Sequence, residues 1–209
     1  MLPCLALACK ADDSAHSGLD SSATVEVSDA IRLRTRPTNV VLISMDALRP
    51  DHLGAGYSPN IDQLIAEGVS LQRHHSCSSW TLPSFVCALT GQDLVSTGYL
   101  PYGDPSGAGG MPEKAPDSLV LLPELLQAEG FHTVLWSGSG FMGAAAHLDQ
   151  GFDEGDGAFD EDHTRQTPAG TLVDSALESL DHLDRDRPFY LHLHLMDTHA
   201  PWRSEEHTS

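Results

Sequence analysis

What this chain can fold into is constrained most by the stretch Val40–Met45, VVLISM, which ends abruptly at Asp46. A run this short and this rich in β-branched residues reads as a strand buried on both faces of a parallel sheet. Ligand sites in such sheets lie at the carboxyl ends of the strands. Asp46 occupies that end, where a turn or capping role competes with a functional one.

Two further blocks follow within residues 39–91. In SPNIDQLIAEG, Ser58 suits a helix N-cap and Pro59 the first turn. Ile61, Leu64 and Ile65 form an apolar stripe, and Gly68 is the stop. In CSSWTLPSFVCALTG, Thr81 and Ser84 fit a turn entering a helix near Pro83. A hydroxyl there is ordinarily a cap, but a helix N-terminus also favours an anionic ester and an attacking oxygen.

These three ordered blocks resemble the N-terminal part of the sulfatase family, in the alkaline-phosphatase-like superfamily of metal-dependent ester hydrolases. The blocks are Asp-x-Leu-Arg-Pro-Asp, Ser-Pro-Asn-Ile-Asp-x-Leu-x-x-Glu-Gly-Val and Thr-Leu-Pro-Ser running to Leu-Thr-Gly. The likeness extends over about residues 39–202 and implies an α/β fold. That fold is a three-layer alkaline-phosphatase-like sandwich with a mostly parallel central sheet, here truncated at the C-terminus.

The departures are specific. Sulfatases resembling this chain make a formylglycine nucleophile from the Cys of Cys-x-Pro-x-Arg. Here Thr81 holds that place, Pro83 and Ser84 match, and Phe85 replaces the Arg. Neither Cys77 nor Cys87 is followed by the Pro and Arg of the motif. The superfamily also includes phosphodiesterases and phosphoglycerol or phosphoethanolamine transferases whose nucleophile is an unmodified Thr at the metal. Ala47 stands where the family's first motif has a second Asp. Ser137-Gly138-Ser139-Gly140-Phe141 lacks the family's Lys and His, and His147 is a weak substitute.

The resemblance implies the following chemistry. Asp46 and Thr81 hold a divalent cation, calcium first, with magnesium, manganese or zinc as alternatives. Thr81 is the nucleophile, and His199, just past a strand end, stabilises the transferred group or protonates the leaving oxygen. Ser84 and Asp197 are expected at the substrate. That substrate is a small-molecule or glycan sulfate or phosphate ester. The alternatives are a transferase sharing the Thr nucleophile and an inactive binding protein that keeps the fold.

The rest of the chain is read in that frame. Its formal net charge of −19 over 209 residues offers no basic footprint for nucleic acid. Residues 1–9 (MLPCLALAC) resemble the end of a lipoprotein signal, with a lipid anchor on Cys9 as the only membrane attachment and an extracytoplasmic location. Residues 10–37 form a linker, with loose alternation at 24–33 suggesting an edge strand. Residues 38–202 are the catalytic portion, and 203–209 read as a non-native tail. Cys77 and Cys87 are either a disulfide or two buried thiols.

Residues 92–116 predict a surface loop, 119–129 a helix, 131–136 a strand, 171–183 a helix and 189–196 a strand. Gly151-Phe152-Asp153 is a structural turn, and the acidic run 153–162 a solvated loop. His192 and His194 alternate with leucines on one strand face, which favours packing against a helix over a metal pair.

Overall fold

The structure, a computed structural model, describes residues 39–71, 73–99, 114–157 and 167–200. The signal-like start, the linker with its candidate edge strand, residues 100–113 of the expected 92–116 loop, the end of the acidic run and the tail lie outside them.

Four strands form one sheet in the order β1-β4-β2-β3, every neighbour parallel. They are β1 (Val40–Met45), β2 (His132–Ser137), β3 (Glu154–Gly157) and β4 (Phe189–Leu195). Helix α1 is Pro59–Glu67, α2 is Thr81–Thr90, the single turn α3 is Leu94–Thr97, α4 is Leu122–Ala128 and α5 is Ala169–His182. Parallel strands need crossovers, and the helices supply them.

Helices cover both faces of the sheet, giving three layers. On one face, Leu172 and Ala176 of α5 pack on Val134, Leu191 and Leu193. On the other, Leu82, Phe85, Val86 and Leu89 of α2 join Leu121, Leu135, Met142 and Leu148. Each buried leucine contributes about 1.5–3 kcal/mol of apolar burial. Residues paired across β1, β4 and β2 share a face, so Ser44, His194 and Ser137 stand in one row beneath the carboxyl ends.

Several expectations are corrected. β1 is not buried on both faces: among the described residues it pairs only with β4, and Val41 and Ile43 are 47% and 42% exposed. The reason is that α5 lies over β2 and β4. Helix α2 begins at Thr81 rather than near Pro83, since Ser84 N already bonds Trp80 O at 3.4 Å. Within the expected surface loop, Asp93 caps α3 by accepting from Val95 N and Ser96 N. The acidic run opens as β3, held by pairing with β2. The Gly151 turn is structural as expected. A Cβ on Gly151 would stand 2.3 Å from Glu124 N, so the close approach of that turn to α4 requires glycine.

Candidate active site

The carboxyl end of β1 and the N-terminus of α2 meet. Thr81 Oγ1 donates to Asp46 Oδ2 at 2.5 Å, and the two residues are only 7% and 4% exposed. The meeting is forced from both sides. Asp46 N donates to Leu195 O at 2.9 Å, which carries the β1–β4 ladder one residue past the strand. Thr81 is the first residue of α2, so its hydroxyl lies beside the unpaired amides of the first turn, where negative charge is favoured.

The turn after β4 closes the site. Thr198 Oγ1 donates to Asp46 O at 2.5 Å, and His199 N donates to Met196 O at 2.8 Å. His199 Nδ1 lies 2.5 Å from Ala200 O. A carbonyl only accepts, so Nδ1 carries the proton and Nε2 is the ring nitrogen left for a ligand. His199 therefore stands in the turn that Thr198 pins to Asp46.

The two residues expected at the substrate, Ser84 and Asp197, hydrogen-bond to the scaffold. Ser84 Oγ donates back to Trp80 O at 2.8 Å and accepts from Ser76 Oγ at 2.8 Å. Asp197 accepts from Ala169 N at 3.1 and 3.3 Å, at the start of α5. Both belong to the same rim as Asp46 and Thr81, with their hydrogen bonds directed into the scaffold. His147 Nδ1 donates to Ala115 O at 2.9 Å, which accounts for that ring without a ligand.

Cys77 and Cys87 form a disulfide, with Cα atoms 6.6 Å apart, which settles the choice left open by their spacing. It ties the segment before Thr81 to the second turn of α2.

His192 and His194 pack as their alternation with leucines predicts, on Phe85 of α2, with ring centroids 5.5 and 4.8 Å away. They also have a polar side that the alternation does not reveal. Ser44 Oγ lies 3.0 Å from His192 Nε2 and 2.9 Å from His194 Nδ1, and His194 Nε2 is 3.8 Å from Asp46 Oδ2. Burial, with His194 beside it, pushes His192 down to about 3. Burial also holds His194 below its ordinary value, an effect the charge of Asp46 opposes. The signal in the sequence was Ser44, a hydroxyl inside an otherwise apolar strand.

The sulfatase family's model matches residues 38–209. Human arylsulfatase A is 35% identical over 127 residues, which is 56% of this chain and 24% of that protein. Human N-acetylgalactosamine-6-sulfatase is 30% identical over 105 residues, 46% of this chain and 20% of that protein. The chain spans between 18% and 25% of the length of the curated relatives it matches. A solved structure in complex with its substrate, D-glucosamine-2-N,6-O-disulfate, superposes with a TM-score of 0.66 at 19% identity. It covers 80% of this chain and 36% of its own. The shared architecture is the alkaline-phosphatase-like fold.

Proposed function

The chain belongs to the sulfatase family, and from that premise we propose that it is the nucleophile-bearing part of a hydrolase of sulfate esters that uses Thr81 in place of a formylglycine. The observation that carries this reading is the buried 2.5 Å hydrogen bond from Thr81 Oγ1 to Asp46 Oδ2 at the carboxyl edge of the sheet.

The residues suit the chemistry. Asp46 Oδ2 aligns the hydroxyl and is the oxygen toward which its proton leaves. Thr81 Oγ attacks sulfur as its proton passes to Asp46 Oδ2, the bond from sulfur to the ester oxygen breaks, and that oxygen leaves as the alcohol with a proton from the doubly protonated ring of His199. In this reading His199 stands in the turn pinned to Asp46 and, with a second proton on Nε2, stabilises the transferred group or donates to that leaving oxygen. Water then displaces the sulfo group from Thr81. The amides at the start of α2 favour the anionic ester.

Asp46 and Thr81 are also the residues that would hold a divalent cation. Their oxygens match a hard ion, calcium first among calcium, magnesium, manganese and zinc. When bound, the cation supplies positive charge against the ester oxygens and the developing alkoxide.

Sulfated sugars are the substrate class to assay first. The superposed complex holds a disulfated glucosamine, and one relative is named for a sulfated amino sugar. Phosphate diesters come second, because an unmodified Thr serves related enzymes of that kind. The Cys77–Cys87 disulfide supports an oxidising, extracytoplasmic compartment. The signal-like sequence ending at Cys9 supports lipid anchoring there.

The test is substitution of Thr81 in the intact protein. Thr81→Ala lowers turnover by roughly three or more orders of magnitude, as loss of a covalent nucleophile does, and Thr81→Ser retains part of the activity. An acid-quenched reaction shows a sulfo or phospho group on the peptide containing Thr81. An aldehyde at Cys77, or the group on Ser84 or His199, overturns the assignment.

A further inference from the structure

Beneath the Thr81–Asp46 contact lie three buried polar side chains that the proposed chemistry leaves idle. His192 and His194 are 0% and 1% exposed, and Ser44 is 8% exposed. Ser44 Oγ bridges His192 Nε2 and His194 Nδ1 at 3.0 and 2.9 Å. His194 Nε2 then faces Asp46 Oδ2, the oxygen that also receives the Thr81 hydroxyl. Neither His194 Nε2 nor His192 Nδ1 has a hydrogen-bond partner among the described residues.

The proton count allows two arrangements. Neutral imidazole carries one N–H, and the hydroxyl carries one O–H. In the first, His192 Nε2–H donates to Ser44 Oγ, Ser44 O–H donates to His194 Nδ1, and His194 Nε2–H points at Asp46. The lone pair of His192 Nδ1 is left unmet, and His194 Nε2–H reaches Asp46 Oδ2 across 3.8 Å as an electrostatic contact. In the second, every bond reverses. The bare Nε2 of His194 then faces a carboxylate oxygen, lone pair against lone pair, and His192 Nδ1–H is buried with no acceptor. A buried donor without a partner and a lone-pair clash in a low-dielectric interior are both costly. The first arrangement avoids the clash and aims its unbonded N–H at a carboxylate.

We propose that His192, Ser44 and His194 form a one-way hydrogen-bond chain whose last N–H is aimed across 3.8 Å at Asp46, with His194 as the positioning residue that biases, through charge, the carboxylate to which Thr81 donates. Only the last link rests on the assignment of Thr81 and Asp46 to the chemistry. The direction of the chain follows from the carboxylate that His194 Nε2 faces and from the missing acceptor at His192 Nδ1. A carboxylate held from behind keeps one oxygen aimed at Thr81 instead of rotating, as outer partners do for the groups they support.

The test reads ring protons directly. With the full chain labelled by 15N-histidine, long-range proton–nitrogen spectra at neutral pH show the Nε2–H tautomer at both His192 and His194. Ser44→Ala cuts the chain and shifts His194 to a mixture of tautomers, and Ser44→Thr restores the single form. In the intact protein Ser44→Ala lowers kcat roughly tenfold, the low end for loss of an outer partner, with KM little changed, and Ser44→Thr recovers it. An Nδ1–H tautomer at His194 overturns the chain, and so does a shift of its Nε2 resonance to a metal-bound value on adding zinc or manganese. Should Ser44→Ala fail to fold, the wild-type spectrum still decides. Loss of the Thr81 assignment would leave these tautomers unchanged, so the two readings fail separately.

Discussion

The two faces of β4 carry different burdens. Leu191 and Leu193 point toward α5, where Leu172 and Ala176 meet them. Tyr190, His192 and His194 point the other way, toward α2 and Phe152, and two of the three are imidazoles. Both faces are buried, and β4 is central in the described sheet. The apolar face can be satisfied by shape and area alone. The polar face needs each donor matched to an acceptor, and its matches lead to Asp46. One strand thus joins a face that supplies stability to a face that supplies orientation.

Three measurements sharpen or break that contrast. The largest effect belongs to the α5 face. Leu193→Ala removes a core side chain and costs about 2–5 kcal/mol, read from denaturant unfolding, with turnover per folded molecule nearly unchanged. A large drop in turnover at full folding would erase the division between the faces.

The second concerns acid. His192 is ordinary when unfolded and held near 3 when folded. The unfolded chain therefore binds its proton first, so the stability from a neutral His192 is complete above about pH 6.5 and falls as the pH drops toward 3. Within that window the slope is about 1.4 kcal/mol per pH unit for one such histidine. Unfolding midpoints taken from pH 7 to 4 show the fall, and His192→Gln flattens it. A wild-type profile without slope would mean that the imidazole is hydrated.

The smallest effect tests a polar link on the α5 face. Trp136 Nε1 donates to Ser179 Oγ at 3.0 Å, and Ser179 Oγ donates to Glu154 Oε1 at 2.5 Å. Ser179→Ala strands the indole N–H and costs about 1 kcal/mol, with no change in turnover. A loss of several kcal/mol would show that this face also depends on a polar network.

Much of this arrangement was legible in the sequence. The abrupt end of VVLISM placed Asp46 at a sheet edge, and Trp80-Thr81-Leu82-Pro83-Ser84 placed a hydroxyl at a helix start. Both signals are local, and both survive folding. β3 was not legible, because Glu154–Gly157 has no apolar residue and is a strand only through its pairing with β2. The half-exposed face of β1 was hidden for a related reason. Composition reports what a strand could bury, whereas the placement of α5 decides what it does bury. The spacing of Cys77 and Cys87 could not choose between thiols and a bridge, since the return of the chain onto α2 is a tertiary event. The hydroxyl rows of Ser44 and Ser84 were visible as residues, but their partners lie across turns and strands.

The turn after β4 has a thermodynamic consequence of its own. Asp197 is held to the start of α5, Thr198 to the carbonyl of Asp46, and the His199 amide to Met196. Three successive residues are thus tethered in three directions. Fixing a residue's backbone costs roughly 1–2 kcal/mol of entropy, and here that loss is incurred once, during folding. In the proposed reaction, a substrate arriving at His199 meets a surface already set and keeps more of its own contact energy for affinity.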